Sequence, residues 1–174
     1  MNQQKNISSN QNYHTTKEKL MKFHYKELRN IHQAINKLNL EEQVKKEKEE
    51  LLVSALIRMI KLSKLARKEG LLGLEDAVRK LPENSSSDQF LKQLITLLVD
   101  GTYPSEISKI GLMRYYSSLV TDYEALIYFI YLEGTLMIQD GLNPRLLKER
   151  LWVMLPNDVF NTCNERLEEQ LHIR

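Results

Sequence analysis

Four histidines and a single cysteine are the side chains here that metal binding or nucleophilic catalysis would draw on first. Their spacing gathers almost none of them. His24 and His32 fall on one helical face, but eight residues apart is too far for one ion, and His14 and His172 stand alone. No His-Glu-x-x-His, no cysteine pair and no acidic calcium loop occurs. No glycine follows an apparent strand as a phosphate cradle would require, and no serine sits in an elbow motif. Glu165, Glu168 and Glu169 read as a solvated helix face rather than an acid–base pair. The expectation is a protein that is not an enzyme and has no metal and no cofactor. Cys163 has no partner for an internal disulfide, so nothing points to an oxidising compartment.

Charge is the next resource, and it is unevenly placed. Residues 1–68 hold 15 of the 25 Lys/Arg but only 7 of the 23 Asp/Glu, so the first part is basic and the rest acidic. A basic arm suits an anionic partner. The lysines, however, alternate with glutamates at helical i,i+4 spacing, which marks a solvated face. No base-reading arginine cluster accompanies them, so nucleic acid is not an expected partner. Peripheral binding to an anionic membrane surface through this basic half stays open as an alternative.

The elements that would position these groups are helices. Only 6 glycines and 4 prolines in 174 residues leave too few turns for a sandwich or barrel. Residues 1–15 are Asn, Gln and Ser with hardly a hydrophobe, a disordered tail in expectation, and they lack the apolar core of a signal peptide. Residues 16–174 read as a single helical domain. Thr15 or Thr16 would cap a first helix whose seam is His24, Leu28, Ile31, Ile35 and Leu38. After Asn39 a second helix is predicted from about Leu40 to Lys68, with Val44, Leu51, Leu52, Ala55, Leu56, Met59, Ile60, Leu62 and Leu65 as its apolar positions. Gly70 is its expected C-cap. A short amphipathic piece, Leu71–Lys80, leads to the loop at Pro82–Asp88, where Asp88 would cap the next helix. Ala125–Leu132 is the most apolar run, closed by Glu124 and Glu133 and far short of the roughly 20 residues of a membrane span. A cytoplasmic location follows as the default.

One pattern occurs twice. Leu98-Val99-Asp100-Gly101-Thr102-Tyr103-Pro104-Ser105-Glu106-Ile107 is echoed by Ile138-Gln139-Asp140-Gly141-Leu142-Asn143-Pro144-Arg145-Leu146-Leu147. Gly101 and Gly141 would end one helix in the left-handed region, and Pro104 and Pro144 would open the next. Between these corners, Ser105 to Gln139 reads as mostly helical, carrying Tyr115, Tyr116, Tyr123, Tyr128, Phe129 and Tyr131 as core or as an interface. A helix from Pro144 to about Leu155 then stops at Pro156, and Asn157 or Asp158 opens a last one towards Ile173. The expected fold is all-α: a compact helical bundle with two helix–(DGxxP)–helix corners and a disordered amino-terminal tail.

The segment Leu65-Ala66-Arg67-Lys68-Glu69-Gly70-Leu71-Leu72-Gly73-Leu74-Glu75, followed by Phe90-Leu91 and the first corner, resembles the cytoplasmic loop of MotA-type flagellar stator subunits, of the MotA/TolQ/ExbB proton-channel superfamily. The second corner, preceded by Leu132-Glu133-Gly134 and followed by Glu149 and Leu151–Pro156, is similar to the carboxyl-terminal cytoplasmic part of the same subunits. Together the two matches cover roughly residues 51–110 and 125–157. The membrane helices that separate these parts in the family have no counterpart: only Gly111 to Ile130 lies between, and Arg114, Asp122 and Glu124 exclude a span there. The resemblance therefore implies a stator cytoplasmic domain without its channel, unable to conduct ions. It implies a protein partner, the flagellar rotor protein or stator subunits, and it gives Arg67 and Glu75 the role of rotor-contacting charges. On one continuous helix those two would share a face, unless Gly70 or Gly73 bends it. The expected function is a stator-like adaptor that modulates motility, peripheral at the motor. A helical scaffold that self-associates through the tyrosines is the alternative.

Overall fold

The computed structural model describes residues 22–160. The proposed tail, the Thr15/Thr16 cap, His14, Cys163, the Glu165–Glu169 face and the far part of the last helix lie outside the described residues. Those described form helices and no strand. Helix α1 covers 22–35, and α2 spans Glu42–Glu69, α3 Leu74–Arg79, α4 Ser86–Val99, α5 Pro104–Ser117, α6 Asp122–Gln139 and α7 Pro144–Trp152. A further helix, α8, opens at 157, directly after Pro156.

Helix α6 is the axis. Of its 18 residues, 13 are buried, so the chain must surround it rather than cover one face. Lys48 lies over the Tyr123 ring, Arg58 reaches Tyr131, and the Met59 side chain rests on Gly134. These pairs advance together along both chains, so α2 and α6 run in the same direction. Ser86 bonds Glu124 at the start of α4 and α6, and Gln139 bonds Thr102 near their ends, so α4 is parallel to them as well. Three parallel helices need return segments. Helix α5 supplies one, its Gly111 facing Leu132 and its Tyr115 ring standing edge-on to Phe129 at 5.0 Å. The stretch 70–85, which contains α3, supplies the other, between α2 and α4, and α7 follows α6.

The seam of α1 packs on this bundle: His24, Ile31 and Ile35 are buried, and Leu28 and Leu38 partly so. His32 Nε2–H donates to the Met154 carbonyl at 2.8 Å, and Lys45 meets Asp158 at 2.6 Å, closing that end of the molecule. In α2 the buried residues run from Leu52 to Ser63, whereas Val44 and Leu51 are exposed, contrary to their expected place in the apolar stripe. They belong to turns crowded with Lys and Glu, which hold that part of the helix in water.

Residues 105–139 are mostly helical, as expected, in two helices parted at 118–121, where Leu119 is exposed and held at φ +50°. Two local expectations need correction. The cap of α4 is Ser85, whose Oγ accepts from Asp88 N–H at 3.1 Å, while Asp88 lies in the first turn. Helix α7 ends at Trp152, three residues sooner than the periodicity suggested. The aromatic stripe, in turn, is folded inward. Tyr123, Tyr128, Phe129 and Tyr131 are all buried, and Phe90 stacks on Tyr128 at 4.2 Å.

Asp88 is free for another task because Ser85 does the capping. It pairs with Arg58 of α2, and the same guanidinium donates to the Tyr131 hydroxyl at 3.2 Å, joining α2, α4 and α6. Burial, only partly offset by the Arg58 charge, pushes the Tyr131 hydroxyl up to about 12 from its ordinary 10. A phenol raised on folding stabilises the fold fully below pH 10 and loses that contribution as pH climbs towards 12. Denaturant titrations at pH 9 and 11 should therefore show a fall in stability, and Tyr131→Phe should make that fall measurably shallower.

Candidate partner-binding surface at the corner end

The two corners are near copies in three dimensions. Asp100 and Asp140 end their helices at φ −69°, with ψ −1° and −2°. Gly101 and Gly141 follow at φ +74° and +70°. In the first corner, Gly101 N–H donates to the Leu98 carbonyl at 3.1 Å and Thr102 N–H to Leu97 at 3.0 Å. In the second, Gly141 donates to Ile138 and Leu142 to Met137, both at 3.0 Å. Each corner thus satisfies helix-end carbonyls with a left-handed glycine, after which Pro104 and Pro144 open the next helices at their first position. Gln139 Nε2–H donates across to the Thr102 carbonyl at 2.6 Å and holds the corners side by side.

The end of α2 joins them. Its last turn carries Arg67 and Lys68, and Gly70 terminates it at φ +78°, its N–H donating to the Ala66 carbonyl at 2.9 Å. Ser63, Arg67, Gly70 and Leu71 from this side, with Ile138, Gln139 and Leu142 opposite, line a cleft of about 370 Å³. The expected C-cap is therefore in place, and it settles the relation between Arg67 and Glu75. They do not share one helix, because the chain turns at Gly70 and Glu75 belongs to α3. Arg67 is exposed, lines the cleft and has no ion-pair partner among the described residues. Glu75 is exposed too, but Arg79 Nη2 holds it at 2.5 Å one turn later. Gly73, φ in the ordinary helical range, is where the chain doubles back on itself: a Cβ there would lie 2.5 Å from that of Glu69.

Exposed apolar side chains collect at this end. Leu72 follows the α2 terminus, Tyr103 stands in the first corner, and Leu146 occupies the first turn of α7 after the second; they are 76%, 78% and 51% exposed. Tyr103 is the informative one. At the matching position Asn143 caps α7, its Oδ1 accepting from Arg145 N–H at 2.8 Å and Leu146 N–H at 3.1 Å. Tyr103 makes no such bond. A tyrosine replaces a good capping residue and turns its ring to solvent. Sequence reading passes over Tyr103, Leu72 and Leu146, although the Tyr/Asn difference between two otherwise matching corners is visible in the chain. This end therefore presents the exposed cations Arg67 and Arg145, neither in an ion pair among the described residues, together with an exposed tyrosine and two exposed leucines.

The histidines do different work. His32 ties α1 to the turn after α7, and His24 pairs through Nδ1 with Glu133 of α6, a contact across 109 positions that no local spacing announces. Among the described residues, no group of three or more His, Cys, Asp or Glu gathers at metal-binding range. No helix among them is long and apolar enough to cross a membrane. No protein-family model matches the chain, and no curated protein matches it either.

Gly101→Ala and Gly141→Ala meet no neighbouring atom within 4 Å, so only backbone strain opposes them. Each should lower unfolding free energy by about 1–2 kcal/mol, read by denaturant titration. Tyr103→Asn should act in the other direction, restoring the missing cap and adding about 1 kcal/mol in the same titration.

Proposed function

We propose that this chain is a stator-like protein-binding adaptor that docks on the flagellar motor through its corner end, at the rotor protein or beside stator subunits, and conducts no ions. The observation that carries the reading is Arg67, exposed at the lip of a cleft with no ion-pair partner among the described residues, with Leu72, Tyr103 and Leu146 exposed on the same end. Arginine and aromatic side chains dominate the energetics of protein interfaces, with aliphatic groups excluding water around them. The resemblance of residues 65–75 and of both corners to stator cytoplasmic segments supplies the candidate partner. In that reading Arg67 and Glu75 meet complementary charges, which tune encounter rate and partner choice more than raw affinity. The self-associating scaffold loses its main support, because four of the six aromatics between 115 and 131 are buried within the bundle.

The test is binding of the purified protein to the carboxyl-terminal domain of the rotor protein at low and moderate salt. Binding should weaken with salt and disappear in the double variant Arg67→Glu with Glu75→Lys. Absence of binding at both salt concentrations would remove the rotor from the proposal.

A further inference from the structure

Helix α1 turns its seam to the bundle, and the face it leaves to solvent carries charge of one sign. Lys22, Tyr25, Lys26 and Arg29 stand at i, i+3, i+4 and i+7 away from that seam, and all four are exposed. Glu27, the one acid in the described part of α1, lies on the other flank. It reaches the Tyr115 and Tyr116 hydroxyls there, both raised by burial first and by the Glu27 charge second.

Helix α7 and the turn after it extend the cationic face. Tyr25, Arg150 and Val153 share the mouth of a cavity of about 350 Å³ where α1 crosses α6 and α7. His32 bonds the Met154 carbonyl and draws that turn against α1. Arg150 is exposed, and Tyr25 and Val153 are 62% and 72% exposed. Of the nearby acids, Glu133 is taken by His24, and Glu149 lies outside the cavity lining, about 100° round α7 from Arg150. Lys22, Lys26, Arg29 and Arg150 form no ion pair among the described residues.

An ordinary wet surface mixes its signs, as the start of α2 does with Lys45, Lys46 and Lys48 among Glu42, Glu47, Glu49 and Glu50. The outer face of α1 does not, so it suits an anionic partner. The apolar side chains decide which kind. Protein interfaces need a contiguous apolar centre from which lysine is depleted, whereas Tyr25 and Val153 stand singly among cations, two of them lysines. A lipid headgroup layer asks for cations at the phosphates and for shallow aromatic or aliphatic side chains beside them.

We infer that this face docks the protein on an anionic lipid bilayer. Helix α1 lies in the plane of the surface, Lys22, Lys26, Arg29 and Arg150 sit over lipid phosphates, and Tyr25 and Val153 enter the headgroup layer. Each basic residue close to such a surface strengthens partitioning about fivefold, so four give on the order of several hundredfold over a neutral bilayer. The face shares no residue with the lining of the corner cleft and does not rest on the motor reading.

Full-length protein would be sedimented with mixed phosphatidylglycerol/phosphatidylcholine vesicles and with pure phosphatidylcholine, at low and moderate salt. Binding is expected to the mixed vesicles alone, and to weaken with salt. The triple variant Lys22→Gln, Lys26→Gln, Arg29→Gln should lose about a hundredfold. A control with the same loss of charge on exposed positions elsewhere, Lys61→Gln, Lys80→Gln, Lys109→Gln, should stay within about twofold of wild type, which separates this face from net charge. Tyr25→Ser should weaken vesicle binding a few-fold and leave binding to double-stranded DNA, a polyanion without a headgroup layer, unchanged. No binding to mixed vesicles at low salt, equal binding to pure phosphatidylcholine, equal losses in the two triple variants, or DNA bound as tightly as vesicles would each overturn the inference.

Discussion

Burial of α6 on every side is the constraint from which the remaining architecture follows. A helix reading Tyr-Glu-Ala-Leu-Ile-Tyr-Phe-Ile-Tyr-Leu has no polar face to leave in water, so partial coverage would forfeit much of its apolar burial. Helices α2 and α4 lie along it in the same direction, and α5 and α7 return against it. Close approach is bought with small residues: at Gly134 an added Cβ would fall 2.7 Å from the Met59 methyl, and at Gly111 one would fall 2.6 Å from Leu132. Both glycines sit inside helices, where their weak propensity costs about 1 kcal/mol relative to Ala. They are retained because interhelical distance matters more at these contacts.

Parallel packing of α4 and α6 then dictates the corners. Two helices that run together must both turn at the same end, and each turn must send the chain back against the bundle within a few residues. Left-handed glycine followed by proline at the first helical position does this in both places with nearly the same torsions. Side-by-side corners create a surface that neither makes alone, and the α2 terminus at Gly70 completes it. The Gly-x-x-Pro frame leaves the two positions between glycine and proline free to differ from one corner to the other. Asn143 keeps the capping bond, whereas Tyr103 gives it up for an exposed ring. A local rule broken at one of two otherwise equal corners is better evidence for a binding role than exposure alone.

The corners, Gly70 and the buried aromatics were legible in the chain because each depends on residues within one helical turn or on simple periodicity. The α5–α6 break was not. It uses no glycine or proline, and Leu119 takes φ +50° because the helices on either side fix its ends, a tertiary decision. Capping of α4 was ambiguous for a different reason: Ser85, Ser86, Ser87 and Asp88 all have suitable oxygens, and the choice fell to Ser85 once Arg58 of α2 had claimed Asp88. Arg67 was visible as a residue, but its exposure at a cleft was not, since only the packing shows that no described residue forms an ion pair with it. The His24–Glu133 contact is the extreme case. His24 sat correctly on the seam of α1, yet its partner is 109 residues away, and only the docking of α1 on α6 brings the two together.

That docking also explains why the molecule has a cavity where it does. Helix α1 meets the bundle through Ile31 and Ile35 deep in the core, but nearer its described start it presents a polar ring, His24, to an apolar wall. An imidazole cannot fill the space between Phe129 and Met154 as a branched aliphatic side chain would, and its polar nitrogens require partners. Glu133 answers one nitrogen and interrupts the otherwise apolar surface of α6 to do so. A leucine at 24 with a leucine at 133 would pack the same junction without any ion pair, and buried pairs are commonly no more stabilising than such replacements. Chemistry at this junction is therefore not a requirement of the fold. Its presence, with a cation at the rim, is what sets this junction apart from a purely apolar helix contact.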